Sequence, residues 1–155
     1  MNLRDDNKLF LLCISNGNAE GLGREREKEL EKSCRFLKFA EAPTTINDPD
    51  LQDGMDNDWS PDLVAEHVNK YLIAMAREGK DHEINTIITY DEYGVSYHPN
   101  HIAVHRGVCK MFENHQFELE LYTLTTVNMF RKYTSYFDIA ICDQWEYHLF
   151  TWNFA

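Results

Sequence analysis

Apolar runs of strand length alternate along this sequence with stretches of helical period, and that alternation sets the fold class. Residues 9–14, Leu-Phe-Leu-Leu-Cys-Ile, form a continuous apolar run, as expected of a strand covered on both faces. The turn composition Ser15-Asn16-Gly17-Asn18 follows. Residues 24–38 are predicted helical, with Leu30, Cys34 and Leu37 on one face. Residues 42–46 are a weaker strand candidate because Pro43 sits among them. Ser60-Pro61 reads as a helix start, with Leu63, Val64, Val68, Tyr71, Leu72 and Met75 along one side and Gly79 as the stop. Residues 84–90 are a strand rich in β-branched residues, residues 100–114 a helix, and residues 117–125 a last strand. Strands alternating with helices predict an α/β layered fold with a mostly parallel sheet.

At 155 residues the chain fits one domain with one core. Residues 1–137 hold the regular alternation, and residues 138–155 are an aromatic tail without a clear period. The net charge is −11, from 26 acidic against 15 basic residues, and no basic stripe interrupts it, which excludes a nucleic-acid binder. The same charge opposes unaided docking on an anionic membrane. No apolar stretch reaches the roughly 18 residues of a membrane span. Residues 1–7 are polar, unlike a signal peptide. Cys13, Cys34, Cys109 and Cys142 form no C-x-x-C pair and read as reduced, mostly buried thiols.

In an open parallel α/β sheet, ligands collect beyond the carboxyl ends of the strands. Three polar loops fall there: residues 15–24, 47–58 and 91–101. The last contains His98-Pro99-Asn100-His101 at a helix entry. Two imidazoles with nearby carboxylates and Arg24 or Arg26 suit a hydroxyl-rich ligand and a hydrolytic metal site. Two histidines here are equally compatible with capping a helix or bonding a loop. His105 shares a helix face with His101, and helix packing is the simpler account of it. His67, His82, His115 and His148 read as surface or structural residues.

Four stretches give the chain a specific resemblance: residues 11–18, residues 23–34 with Arg26, residues 89–101 with Thr-Tyr-Asp and His-Pro-Asn-His, and residues 127–133. They resemble, in order, the N-acetylglucosaminyl-phosphatidylinositol de-N-acetylase family, related to zinc-dependent deacetylases of N-acetylglucosamine (GlcNAc) conjugates. The resemblance covers roughly residues 9–137, and residues 46–54 resemble the family's acidic loop. It implies a three-layer Rossmann-like fold. It implies that His101 is a zinc ligand and that His98 acts catalytically beside the substrate carbonyl. Arg26, Asp91, Asn18 and Asp50 are then the residues lining the substrate pocket. The implied substrate is a glycolipid on the cytoplasmic side of the endoplasmic reticulum membrane, used in glycosylphosphatidylinositol (GPI) anchor biosynthesis.

The sequence departs from the family in one respect. The family opens with Ala-His-Pro-Asp-Asp-Glu or close to it, which supplies two further zinc ligands and the general base. The present sequence starts beyond that motif, and Asp5-Asp6 has no His-Pro partner. The expectation is an N-terminally truncated domain whose zinc is weakly bound or absent. It is then either a deacetylase or a catalytically inactive form that acts only in binding. Self-association or a membrane-associated partner would follow from an uncovered sheet edge.

Overall fold

The computed structural model describes residues 7–77, 84–114 and 118–127. The aromatic tail, Cys142, His82, His115, His148, Gly79 and residues 128–133 of the resemblance lie outside them. Strand β1 (Leu12–Cys13) leads through a short 3-10 turn, Asn18–Glu20, into α1 (Gly23–Phe36) and then β2 (Thr44–Thr45). A second 3-10 turn, Pro49–Leu51, precedes α2 (Pro61–Arg77). Strand β3 (Thr86–Tyr90), the one-turn α3 (Gly94–Tyr97), α4 (Pro99–Asn114) and β4 (Glu120–Leu124) follow. The order is that of an α/β chain, and both strand pairs are parallel.

Each pair is one strand–helix–strand unit. β1 joins β2 with Leu12 opposite Thr44, and β3 joins β4 from Thr86–Glu120 to Tyr90–Leu124. The first pair is shorter than the apolar run at residues 9–14 suggests. The Leu9 and Leu11 carbonyls accept from Ala40 and Thr44, so two residues on one strand span four on the other. Pro43, within that excess, has no N–H to donate. Regular pairing starts at Thr44 and continues to the Cys13 carbonyl, which accepts from Ile46 at 2.8 Å.

Helix α1 ends sooner than its sequence period implies. Phe39 N–H returns to the Cys34 carbonyl at 2.9 Å, and Lys38 takes a left-handed φ of 58°. This closing turn swings Leu37 out to solvent, while Cys34 stays buried. The stripe on α2 behaves as its spacing requires: Val64, Val68, Leu72 and Met75 are buried. Val64, Val68 and Leu72 pack with Ala103, Val108, Met111 and Phe112 of α4, with Leu121 of β4 and with Ile14, Leu51 and Trp59.

The closest approach of α2 and α4 is at Gly107. A Cβ there would overlap the Val64 side chain and crowd the Pro61 carbonyl. Alanine favours a helix over glycine by about 1 kcal/mol, whereas overpacking a fully buried contact costs about 1–3 kcal/mol. Gly107→Ala should therefore destabilise the chain on balance. Urea unfolding should show a lower midpoint at unchanged slope.

Candidate functional site

Within each pair the strands are parallel, and side-chain contacts tie the loops after β1 and β2 to the entry of α4. Asn16 and Asn47 both donate to Glu27 Oε1, at 3.1 and 3.2 Å, so α1 clasps the loops after β1 and β2. These two bonds hold the Glu27 carboxyl below its ordinary value. Asp48 accepts from Asp50 N–H and pairs with His67 Nε2 at 2.8 Å. Both contacts hold the Asp48 carboxyl down and fasten the acidic loop onto α2.

A chain of polar contacts then crosses the site. Arg26 donates to the Gly17 carbonyl and to Glu20 Oε2, and its Nη1 lies 3.7 Å from Asp53 Oδ2. The other Asp53 oxygen accepts from Asn100 Nδ2 at 2.9 Å. Asn100 is 4% exposed, and among the described residues its Oδ1 is buried without a donor. Leaving such an acceptor unpaired is costly.

The histidines take opposite tautomers. Asn100 N–H donates to His98 Nδ1 at 3.2 Å, the geometry of a side chain capping α4. A neutral His98 therefore carries its proton on Nε2. His101 Nδ1 lies 3.0 Å from the Gly94 carbonyl, which can only accept. The His101 proton is thus on Nδ1, and Nε2 presents a lone pair. The two rings are 5.1 Å apart, and Tyr90 stacks on His101 at 4.1 Å. Gly94 has φ 62°, and a Cβ on it would strike His101 Cβ, so only glycine admits this approach.

Asp91 holds that turn in place. Its carboxylate accepts from Thr126 N–H, from Thr126 Oγ1 at 2.6 Å and from Tyr93 N–H at 3.1 Å. Thr126 Oγ1 in turn accepts from Val95 N–H at 2.9 Å. Val95 sits at φ 63°, a strained value for a β-branched residue, and the Asp91–Thr126 tie maintains it. Burial pushes the Asp91 carboxyl up, but the bonds from Thr126 and Tyr93 outweigh it and the net direction is down.

Of the sequence-predicted site residues, His98 and His101 are neighbours, and Arg26 is linked to His98 through Asp53 and Asn100. Asp91 lies beside them with its carboxylate engaged by Thr126. Asn18 is exposed, and its Oδ1 accepts from Gly23 N–H at 2.9 Å at the start of α1. Asp50 is exposed on the 3-10 turn, and Asp53 is the acidic-loop residue that reaches Arg26 and Asn100. Asp53 and Asn100 had no distinguishing sequence signal beyond their loop and motif. His105 bonds the Tyr90 carbonyl through Nδ1 at 2.9 Å, with Cys109 Sγ 3.7 Å from Nε2, in line with a packing role.

Known proteins give this geometry a context. The family model described as PIG-L: GlcNAc-PI de-N-acetylase matches residues 1–112. The chain belongs to the PIG-L family. A probable N-acetylglucosaminyl-phosphatidylinositol de-N-acetylase of Schizosaccharomyces pombe is 39% identical over 132 residues, 84% of this chain and 50% of the relative. A Dictyostelium discoideum protein of the same description is 30% identical, covering 86% of this chain and 60% of the relative. The Saccharomyces cerevisiae de-N-acetylase is 37% identical, covering 68% of this chain and 33% of its own length. This PIG-L chain thus spans about half the length of the curated relatives it matches. No solved structure matches it significantly.

His101 Nε2 is one suitable donor, with its other nitrogen fixed as metal-binding histidines require. A catalytic zinc ordinarily has three protein ligands, and the described residues contain no group of three His, Cys, Asp or Glu placed to hold a metal. They do not make a zinc site by themselves, and no chemical step below runs through a metal.

The Asp91–Thr126 tie has a pH signature. Because the folded-state value of Asp91 is lowered, its contribution is complete above the ordinary carboxylate range near pH ~4. It is lost as pH falls through the folded-state value. Asp91→Asn should be less stable than the unchanged chain at pH 7, and the gap should narrow in acid. Thr126→Val should cost about 1–2 kcal/mol at neutral pH. Unfolding curves across pH check both.

Proposed function

We propose that this site serves removal of the acetyl group from N-acetylglucosaminyl-phosphatidylinositol, the hydrolysis named in the relatives and a step of GPI-anchor biosynthesis. The observation that carries the reading is the pair of complementary tautomers: a donor at His98 Nε2 and a lone pair at His101 Nε2, on rings 5.1 Å apart. Amide hydrolysis needs a donor for the oxygen that gains charge as water adds to the carbonyl. His98 Nε2–H is suited to hydrogen-bonding that oxygen, while over the whole hydrolysis water supplies the hydroxyl that leaves with the acetyl group and the proton that the departing amine gains. Arg26 offers donors and Asp53 an acceptor to sugar hydroxyls and to the acetamido group. In this reading Asn18, Asp50 and Asp91 border the pocket, and Asp91 acts by holding the turn that presents His98.

Zinc is the cofactor this reading expects, with His101 as its ligand here. Bound zinc polarises a carbonyl and lowers the pKa of water. With one ligand among the described residues, binding by this chain is weak. The work site is the cytoplasmic face of the endoplasmic reticulum membrane.

A specific observation favours a second reading, binding without turnover. Asp91 is held by Thr126, and Asp53 by Asn100 and Arg26, so both carboxylates at the site already serve as structural acceptors. Acetate release from a GlcNAc-phosphatidylinositol analogue with added zinc separates the two. Turnover near ~1 s⁻¹ supports the hydrolase, and headgroup binding without release supports the second.

The histidine roles have their own test. Imidazole ¹⁵N shifts should place the proton of neutral His98 on Nε2 and that of His101 on Nδ1. Added zinc should shift His101 Nε2 and leave His98 little changed. His101→Ala should abolish the metal response. His98→Ala should preserve that response and slow any acetate release by about 10²-fold. Equal metal effects on both rings would show the roles to be divided wrongly.

A further inference from the structure

Single exposed apolar side chains are ordinary on a protein surface. Here six of them share one end of the molecule. Leu22 immediately precedes α1, four residues before Arg26. Met55, 63% exposed, follows Asp53 by two residues. Tyr93 and Tyr97 flank the turn that presents His98, with rings 5.9 Å apart and Tyr97 67% exposed. Leu124, 51% exposed, ends β4 opposite Tyr90, and Val127 follows the Thr126 that holds Asp91. Each lies within five residues in sequence of a residue of the polar cluster or of Thr126, which holds Asp91, on the segments that follow the strands, in α3 or at the last residue of β4, so apolar and tyrosine side chains border the polar cluster.

We propose that this rim is a bilayer-contacting surface that seats the site face-on against the headgroup layer. The proposal rests on the glycolipid reading above and adds the manner of approach. Among the described residues no helix is long and apolar enough to cross a membrane, so contact through them has to be interfacial. Tyrosine suits that zone, with an apolar ring and a polar hydroxyl. The charge selects the lipid. Glu20, Asp56, Asp58 and Glu92 are exposed on the same loops, and the chain carries −11 overall. Contact therefore comes from apolar insertion into an electroneutral surface and is opposed by an anionic one. The other conspicuous apolar pair, Phe36 and Leu37, is at the far end of α1, about 15 Å along the helix from Arg26. It faces away from the rim and serves as the internal control.

Vesicle flotation tests this with phosphatidylcholine alone, containing no glycolipid. The unchanged chain should float with vesicles at on the order of 1 mM lipid. The triple variant Leu22→Ser, Met55→Ser, Leu124→Ser should bind at least about tenfold more weakly, with its fold checked by circular dichroism. The double variant Phe36→Ser, Leu37→Ser should bind like the unchanged chain. Replacing about a third of the lipid by phosphatidylglycerol should weaken binding. No flotation of the unchanged chain, binding that depends on Phe36 and Leu37 but not on the rim, or stronger binding to anionic vesicles would each overturn the proposal. Acetate release from a water-soluble analogue is read separately, so failure of the bilayer contact and failure of the deacetylase reading are distinguishable.

Discussion

The Asp91 carboxylate fastens the end of β3 to the segment after β4. It accepts from both the N–H and the hydroxyl of Thr126, and that hydroxyl accepts from Val95 N–H. One carboxylate thereby holds two strand ends and a turn containing left-handed Val95 and Tyr97. Such backbone costs of order 1–3 kcal/mol per residue and persists only where its surroundings over-determine it. The strain has a visible product: Gly94 turns its carbonyl to His101, and His98 arrives at the first turn of α4 with Nδ1 facing Asn100 N–H. Fixing both Nδ1 atoms leaves each Nε2 with a different capability, although the residues are chemically identical.

The same economy governs the charges. Arg26 is shared among the Gly17 carbonyl, Glu20 and Asp53, and Asp53 is shared between Arg26 and Asn100. Surface ion pairs of this kind contribute little stability. Their consequence is orientation, because each partner fixes the next across three loops. Asn100 is the joint between the two halves. Its side chain reaches the acidic loop after β2, while its backbone N–H reaches His98. Among the described residues the Asn100 Oδ1 is the buried side-chain acceptor left over, in a position water cannot readily serve.

Much of the architecture was legible because it depends on local period. The stripe on α2, the helix start at Ser60-Pro61, the β-branched run of β3 and the entry into α4 at Pro99 all appear where the spacing requires. The shortfalls have physical reasons. The pairing of β1 depends on what β2 can donate, and Pro43 interrupts it. Leu37 follows the helical period but falls on the closing turn of α1, where Lys38 redirects the chain. At the site, the histidine pair and Arg26 were readable from their motifs. Asp53 was not distinguishable from Asp50, since a loop path decides which carboxylate turns inward. Thr126 is 35 residues from Asp91, and nothing local in either marks the other.

The parallel arrangement explains why one end of the molecule carries both the polar cluster and the apolar rim. In a strand–helix–strand unit every strand returns to the same starting edge, so all carboxyl-end loops open on one surface. In the loops at the carboxyl ends, residues that present site side chains are followed within a few positions by residues that face solvent. A polar site built from such loops acquires a margin of neighbouring side chains whether or not they touch the ligand. Here that margin contains Leu22, Met55, Tyr93, Tyr97, Leu124 and Val127, in a chain whose exposed surface is otherwise strongly acidic. The composition of the margin, and not of the cluster, therefore determines what kind of surface the site can approach.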